Sequence, residues 1–477
     1  MTTTRFFPRA LRLALAGAVV LVAACSDFFK VSDPNSPTQD DLLLNPTKLK
    51  LAGAATGIFA TARGDIQGFI WRVGSMGREG INLLGNNQPD YIEPFFGPLN
   101  GSGFGGSLWL SRYAHIRSIN IYLDALPRAT DLTAAEVAAS RGMANTFKAL
   151  AFLYVVETRA QLGAPVDVDR PVDAPPAPFV SEDSVYGYIL GLLAGARTDL
   201  AAAGAKFPFP VPAGLSTFGD PASFVPFTWA LTAKAQVLRA TEGCGGSPTT
   251  CWTAALAALG NSFLVADSTQ FGLGAYFDFS TAPGDATNDL SDPVNALNFF
   301  ALKDFATDAQ LQLGGTQPDK RVVDKIVAAR DTQTLGGIAI KGENKFTVYW
   351  TNGVTNLNHP IPIIRNEELI LLRAEANIGL GNKAAAITDL DLVRQGAGNL
   401  PPTTLTVASP TAAFVSELIY NRRYSLMWEQ GTRWIDARRY GLLATIPPDV
   451  TNGSVPSVMP IPNTECSARS EAAGCTP

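Results

Sequence analysis

A mainly α-helical protein with a long-loop, irregular half is what this 477-residue sequence predicts. Three observations carry the prediction. Apolar residues recur at helical spacing in segment after segment. Two helical stretches, 366–379 and 383–394, are split only by Gly381-Asn382 and face each other through small residues. Between the helices lie stretches rich in Gly, Pro and aromatics that are too long to be turns. With 46% hydrophobic and 17% charged residues, the chain has the composition of a packed globular protein. Lys and Arg number 37 against 42 Asp and Glu, a formal charge of −5, which argues against a nucleic-acid binder. Only two His, His115 and His359, are present, so no His-rich metal site and no cofactor pattern is expected.

Taken in chain order, the first element is a leader. Arg5, Arg9 and Arg12 precede the apolar run Leu13 to Ala24, which is too short to span a bilayer and has the form of a secretory signal over residues 1–24. Val22-Ala23-Ala24-Cys25 resembles the bacterial lipobox, which implies cleavage before Cys25 and a thiol that carries diacylglycerol, so that the residue bears two or three palmitate-type acyl chains. Ser26, next in line, resembles the sorting signal for the outer membrane. Residues 25–40 read as a polar, Pro-punctuated lipidated tether, and 41–477 as a single helical domain that meets the membrane through its anchor alone.

Helices follow. Ile116, Ile119, Leu123 and Leu126 share one face, as do Met143, Phe147, Leu150 and Tyr154 in a stretch that stops at Gly163-Ala164-Pro165. Val185, Ile189, Leu192, Ala196 and Leu200 mark the next helix, opened by Ser181 with Glu182 and Asp183 in its first turn. Residues 228–241 and 251–265 are expected to be helical, and the last long helix is expected over 411–429. In the pair 366–394, Ala374, Ala376, Ala384 and Ala385 allow two antiparallel helices to approach closely, the packing logic of tetratricopeptide units. No clean 34-residue period runs through the chain, so a divergent, interrupted solenoid is expected.

Apart from Cys25, the cysteines fall into two local pairs, Cys244 with Cys251 and Cys466 with Cys475. In an oxidising compartment they read as two small disulfide loops, since neither pair has metal-type spacing or a nearby His. The Gly-rich stretch 64–106, the stretch 271–300 and residues 337–358 read as loops with short strands. They carry the aromatics that suit a ligand with an apolar C–H face and a ring of hydroxyls: Trp71, Tyr91, Trp109, Tyr276 and Trp350. Asn82, Asn86, Asn87, Gln88 and Asp90 lie among them as hydrogen-bonding partners.

Read together in order, these features resemble the SusD/RagB family of nutrient-binding outer-membrane lipoproteins. The residues that carry the resemblance run from Cys25 and Asp33-Pro34-Asn35-Ser36-Pro37-Thr38, through Asn120 and Tyr122, to the helix within Gly142–Pro165. The strongest are Pro362 to Leu369 running into Arg373-Ala374-Glu375-Ala376, then Leu392-Val393-Arg394, Arg422 to Leu426, Glu429, Gly431, Arg433 to Asp436, Arg438-Arg439 and Pro460 to Glu465. Asn421 stands where the family pattern has Glu, and Gln430 where it has Gly. The resemblance implies tetratricopeptide-like pairs supporting an irregular binding half, a glycan or oligomeric nutrient as ligand, and a SusC-like TonB-dependent transporter as partner. It implies no catalysis.

Glu429, Arg433, Asp436, Arg438 and Arg439 invite an active-site reading, but their spacing suits ion pairs that lock the last helix in place. His115 is expected to be a packed histidine. The function expected is capture of glycans at the outer membrane and their transfer to the transporter. The alternative is a tetratricopeptide-type envelope scaffold without a soluble ligand.

Overall fold

The computed structural model describes residues 39–84, 88–171, 173–334 and 340–469. Helix α1 (Lys48–Ala62) is capped by the Thr47 hydroxyl, which accepts from the Lys50 N–H. Helix α2 (Ile66–Met76) follows at once, then α3 (Leu110–Ala125) and the 26-residue α4 (Ala134–Arg159). A reciprocal capping box between Thr133 and Glu136 starts α4, and nearly every residue from Ala138 onward is buried, so this helix is enclosed on all sides. Helix α5 (Glu182–Ala201) opens at Ser181, as its sequence predicts.

Helix α6 (Pro221–Thr241) starts a full two turns before the expected residue 228. Asp220 and Ser223 form a capping box, Pro221 occupies the first turn, and Pro226 is carried inside the helix. Helix α7 (Pro248–Gly260) lies N-terminal to its expected span for the same kind of reason, with a Pro in its first turn. The C-terminal region supplies α8 (Asn366–Gly379), α9 (Lys383–Gly396), α10 (Thr411–Ser425) and α11 (Thr432–Arg439). From α3 onward the helices pack in succession: α3 on α4, α4 on α5, α5 on α6, α6 on α7, α7 on α8, and α8 on both α9 and α10. That succession of neighbours is the solenoid read from the sequence.

The stretch 64–106 is not a loop. It contains α2, the strand β1 (Gly80–Asn82) and a helix over Gln88–Phe96. Its glycines are there for close packing: a Cβ on Gly74 would lie 2.9 Å from the ring of Trp428. The irregular half also holds β2 (Gly274–Phe277), β3 (Phe299–Ala301), β4 (Ile326–Thr334), β5 (Lys341–Phe346) and β6 (Ile361–Arg365). Four of them form an antiparallel sheet in the order β1-β3-β5-β4. The other two, β2 and β6, pair antiparallel, and β6 runs directly into α8, which ties the irregular half to the solenoid.

Helix α10 stops at Ser425, short of the expected 429, because Trp428 (φ 57°) and Gly431 (φ 58°) adopt left-handed backbone. The charged residues around it therefore do not share one helix. Glu429 sits in the turn, where the Arg365 Nε–H donates to it at 2.7 Å and the Lys325 ammonium at 3.2 Å. On α11, Asp436 accepts from Arg422 and from Arg439, each at 2.7 Å, and Arg439 also donates to Glu375 at 2.8 Å. Lys234 of α6 lies 3.1 Å from Glu368 and 3.7 Å from Glu157. Burial alone would push the Asp436 carboxyl up, yet Arg422 and Arg439 hold it below the usual aspartate range. The two departures from the family pattern are absorbed locally. Asn421 accepts from Arg321 at 3.1 Å and donates to Glu417, and the buried Gln430 amide donates to the Pro362 carbonyl.

Cys244 and Cys251 form a disulfide with Cα atoms 6.1 Å apart. Cys466 is disulfide-bonded, and its expected partner Cys475 lies outside the described residues, as do Cys25 and the leader. No helix among the described residues is long and apolar enough to cross a membrane.

Two stability predictions follow from these buried charges. Arg439→Met removes one of the two cations that hold Glu375 and Asp436, and should cost about 3–5 kcal/mol in urea unfolding; a loss below ~1 kcal/mol would contradict the pairing. Glu79, just before β1, is wholly buried, and burial outweighs Arg433 and Arg423 to raise its carboxyl to about 7. The native state then keeps a proton that the unfolded chain loses near pH 4.5, so stability falls as pH rises from about 4.5 to about 7. Glu79→Gln should remove roughly 3 kcal/mol of that fall, read as unfolding free energy against pH; a variant with the unaltered slope would refute the assignment.

Candidate functional site

A cleft of about 440 Å³ opens where the helical stack meets the β2–β6 ladder, a size in the range of small-molecule sites. Its apolar wall comes from Phe59 of α1, Phe147 of α4, Leu215, Ile363 of β6 and the stiff segment Pro210-Val211-Pro212. Its polar rim comes from Arg63, Asp278, Asp285, Thr56 and the half-buried Tyr276 of β2.

Local sequence explains how the rim is built. After β2 the chain reverses through Ala282-Pro283-Gly284-Asp285, with the Asp285 N–H donating to the Ala282 carbonyl at 3.1 Å and Gly284 at φ 86°. Pro before a left-handed Gly is the signature of a type II turn, and here it carries Asp285 to Arg63 at the end of α1. One guanidinium nitrogen of Arg63 pairs with the Asp285 carboxylate and another donates to the Asp278 carbonyl, while the group lies 5.5 Å from the Phe279 ring. Asp285 also accepts from the Ala286 N–H at 2.8 Å. The Arg63 hydrogen bond, above all, holds the Asp285 carboxyl below the ordinary range. Asp278 accepts from the Gly214 N–H at 2.7 Å. Gly214 has no room for a side chain, since a Cβ there would meet the Tyr276 carbonyl at 2.4 Å; this close approach seats the 213–218 turn on β2.

Of the five aromatics singled out by sequence, Tyr276 alone lines this cleft. Trp71 is a residue of α2, 7% exposed, packed 5.7 Å from Phe104 and 5.9 Å from Phe299 with the Arg72 guanidinium over it. Trp109, 4% exposed, lies between Tyr113 and Phe179. Both rings belong to the core and leave no face for a ligand. Tyr91 is half-buried against the small cluster that holds Ile81 and Phe300. Trp350 is half-buried in a hairpin turned by Asn352-Gly353 (φ 53° and 76°), and its indole N–H donates to the Asp292 carbonyl at 3.2 Å. Asn82 donates to Asp90 at 3.0 Å, and the side chains of Asn86, Asn87 and Gln88 lie outside the described residues. His115 is packed as expected, its Nδ1 2.8 Å from the Thr61 hydroxyl. Arg63, Asp278 and Asp285 escaped the sequence reading, although Pro283-Gly284 marks the turn that presents Asp285. Among the described residues no group of three His, Cys, Asp or Glu could hold a metal ion.

The SusD family profile matches residues 328–469, which span β4 to the last helix and include the buried charge network around α8, α10 and α11. Over that segment the chain is similar to the SusD family. Its fold is similar to solved SusD-like structures over most of the chain. A SusD superfamily protein from Parabacteroides distasonis superposes with a TM-score of 0.64 at 14% identity, covering 87% of this chain and 97% of that one. A laminarin-binding SusD-like protein gives 0.60 at 16% identity, covering 88% and 97%. Surface glycan-binding protein A from Bacteroides thetaiotaomicron, solved with laminarihexaose, gives 0.64 at 14% identity, covering 89% and 98%. No curated protein sequence matches the chain.

The placement of the aromatics has a measurable consequence. Trp71→Ala should cost about 3–5 kcal/mol of stability, as for any large buried ring, whereas Trp350→Ala should cost about 1 kcal/mol. Chemical unfolding of the two variants separates them, and equal losses would contradict the assignment of Trp71 to the core.

Proposed function

We propose that this chain is a SusD-family outer-membrane glycan-binding lipoprotein, anchored through Cys25, that captures oligosaccharides and hands them to a SusC-like TonB-dependent transporter. The observation that carries the proposal is the cleft, which pairs an apolar wall with a hydrogen-bonding rim on a rigid frame. A sugar presents the same two faces, apolar C–H groups and equatorial hydroxyls. The solved structures that share the fold and are described as binding laminarin or laminarihexaose support the same ligand class. The signal-like leader and Cys25 support the anchor, and the family supports the transporter as partner.

Binding rather than bond cleavage suits the carboxylates of the cleft. A glycosidase needs one carboxyl with a raised pKa to protonate the leaving group. Asp285 is shifted the opposite way by Arg63.

Calorimetry of residues 26–477 against a panel of oligosaccharides tests the proposal. Saturable binding without shortening of the glycan is expected, and Tyr276→Ala should weaken it about tenfold, the loss expected for one ring-stacking contact. Released reducing ends would make the chain a hydrolase. Flat titrations across the panel would favour the scaffold reading, in which the helical stack binds other envelope proteins.

A further inference from the structure

The rim of the cleft carries one cation, Arg63, and two carboxylates, Asp278 and Asp285. The cation is already engaged: Asp285 pairs with it, the Asp278 carbonyl accepts from it, and Phe279 lies beside it. The Asp278 carboxylate, by contrast, accepts from a backbone N–H and, among the described residues, forms no ion pair. An arriving ligand therefore meets a neutralised guanidinium and an uncompensated negative charge. A carboxylate on the ligand would be repelled by Asp278 and could reach Arg63 only by displacing Asp285. Sugar hydroxyls face neither obstacle, because they donate to a carboxylate without adding charge.

We propose that the Arg63–Asp285 pair makes this cleft selective for uncharged sugars over uronic acids, with Asp285 as the residue that sets the selectivity. The inference rests on the glycan-binding reading and adds to it the charge class of the ligand. The type II turn at Pro283-Gly284 gives it a structural origin, since the turn places Asp285 beside Arg63 at the end of α1. Asp285→Asn keeps the shape of the side chain and removes its charge. Arg63 then stays held by the Asp278 carbonyl but has a free positive face, so the variant should accept uronates that the natural chain rejects. Arg63→Gln removes the cation altogether and should leave uronates excluded.

A glycan array carrying matched neutral and uronic-acid oligosaccharides, probed with the full chain from residue 26 and with both variants, reads the selectivity directly. Circular-dichroism melts confirm that each variant is folded. The natural chain is expected to bind neutral oligosaccharides at least tenfold more tightly than their uronate counterparts, and Asp285→Asn to shrink that ratio about tenfold. A natural chain that prefers uronates overturns the inference while leaving glycan binding intact. So does an Asp285→Asn variant with unchanged selectivity, or an Arg63→Gln variant that gains uronate binding. Failure of the natural chain to bind any sugar removes the glycan-binding reading itself, and the inference with it.

Discussion

The contact on which the architecture depends is the buried ion cluster of Glu375, Arg422, Asp436 and Arg439, which joins α8, α10 and α11 beneath the protein surface. Charges this deep are expensive to bury and tolerable only in complete sets. The second cluster, Glu157 with Lys234 and Glu368, does the same for α4, α6 and α8. Helix α8 contributes to both and so fixes the order in which the other helices can stack. Because β6 flows straight into α8, the strand pair beside the cleft is positioned by the same network. The network is therefore a specificity device for the fold: an apolar core alone would accept several registers of helix against helix, whereas fixed cation–carboxylate partners accept one.

The helical half was legible in the sequence for a simple reason. Amphipathic helices advertise themselves by period, and Ser181, Gly381-Asn382 and the small residues of 374–385 punctuate them where the structure does. The misreadings have physical causes as well. The helix expected from residue 228 had already been started by a capping box at Asp220, and it carries Pro226 inside it. The glycines of 64–106 suggested a loop, although Gly74 is required for α2 to lie against Trp428. The break between α10 and α11 depends on a left-handed Trp428, a conformation no residue-type preference would assign to tryptophan.

The site was less legible than the fold. Aromatic residues in irregular sequence were a reasonable guide to sugar binding, yet burial took Trp71 and Trp109 into the core and left Tyr276 at the cleft. Arg63 lies more than two hundred residues before Asp278 and Asp285 in the chain and is joined to them only by tertiary folding. No spacing rule connects them. What the sequence did carry was the turn chemistry at Pro283-Gly284, a local clue whose meaning appears once α1 is in place.

Hydrogen–deuterium exchange with and without a saturating oligosaccharide tests most directly whether this cleft is where the chain does its work. The account predicts that protection on binding concentrates in residues 56–63, 210–218 and 276–285, the three segments that supply most of the cleft lining. Protection confined to residues 88–96 or 350–358, with those three segments unchanged, would place the ligand elsewhere and contradict it.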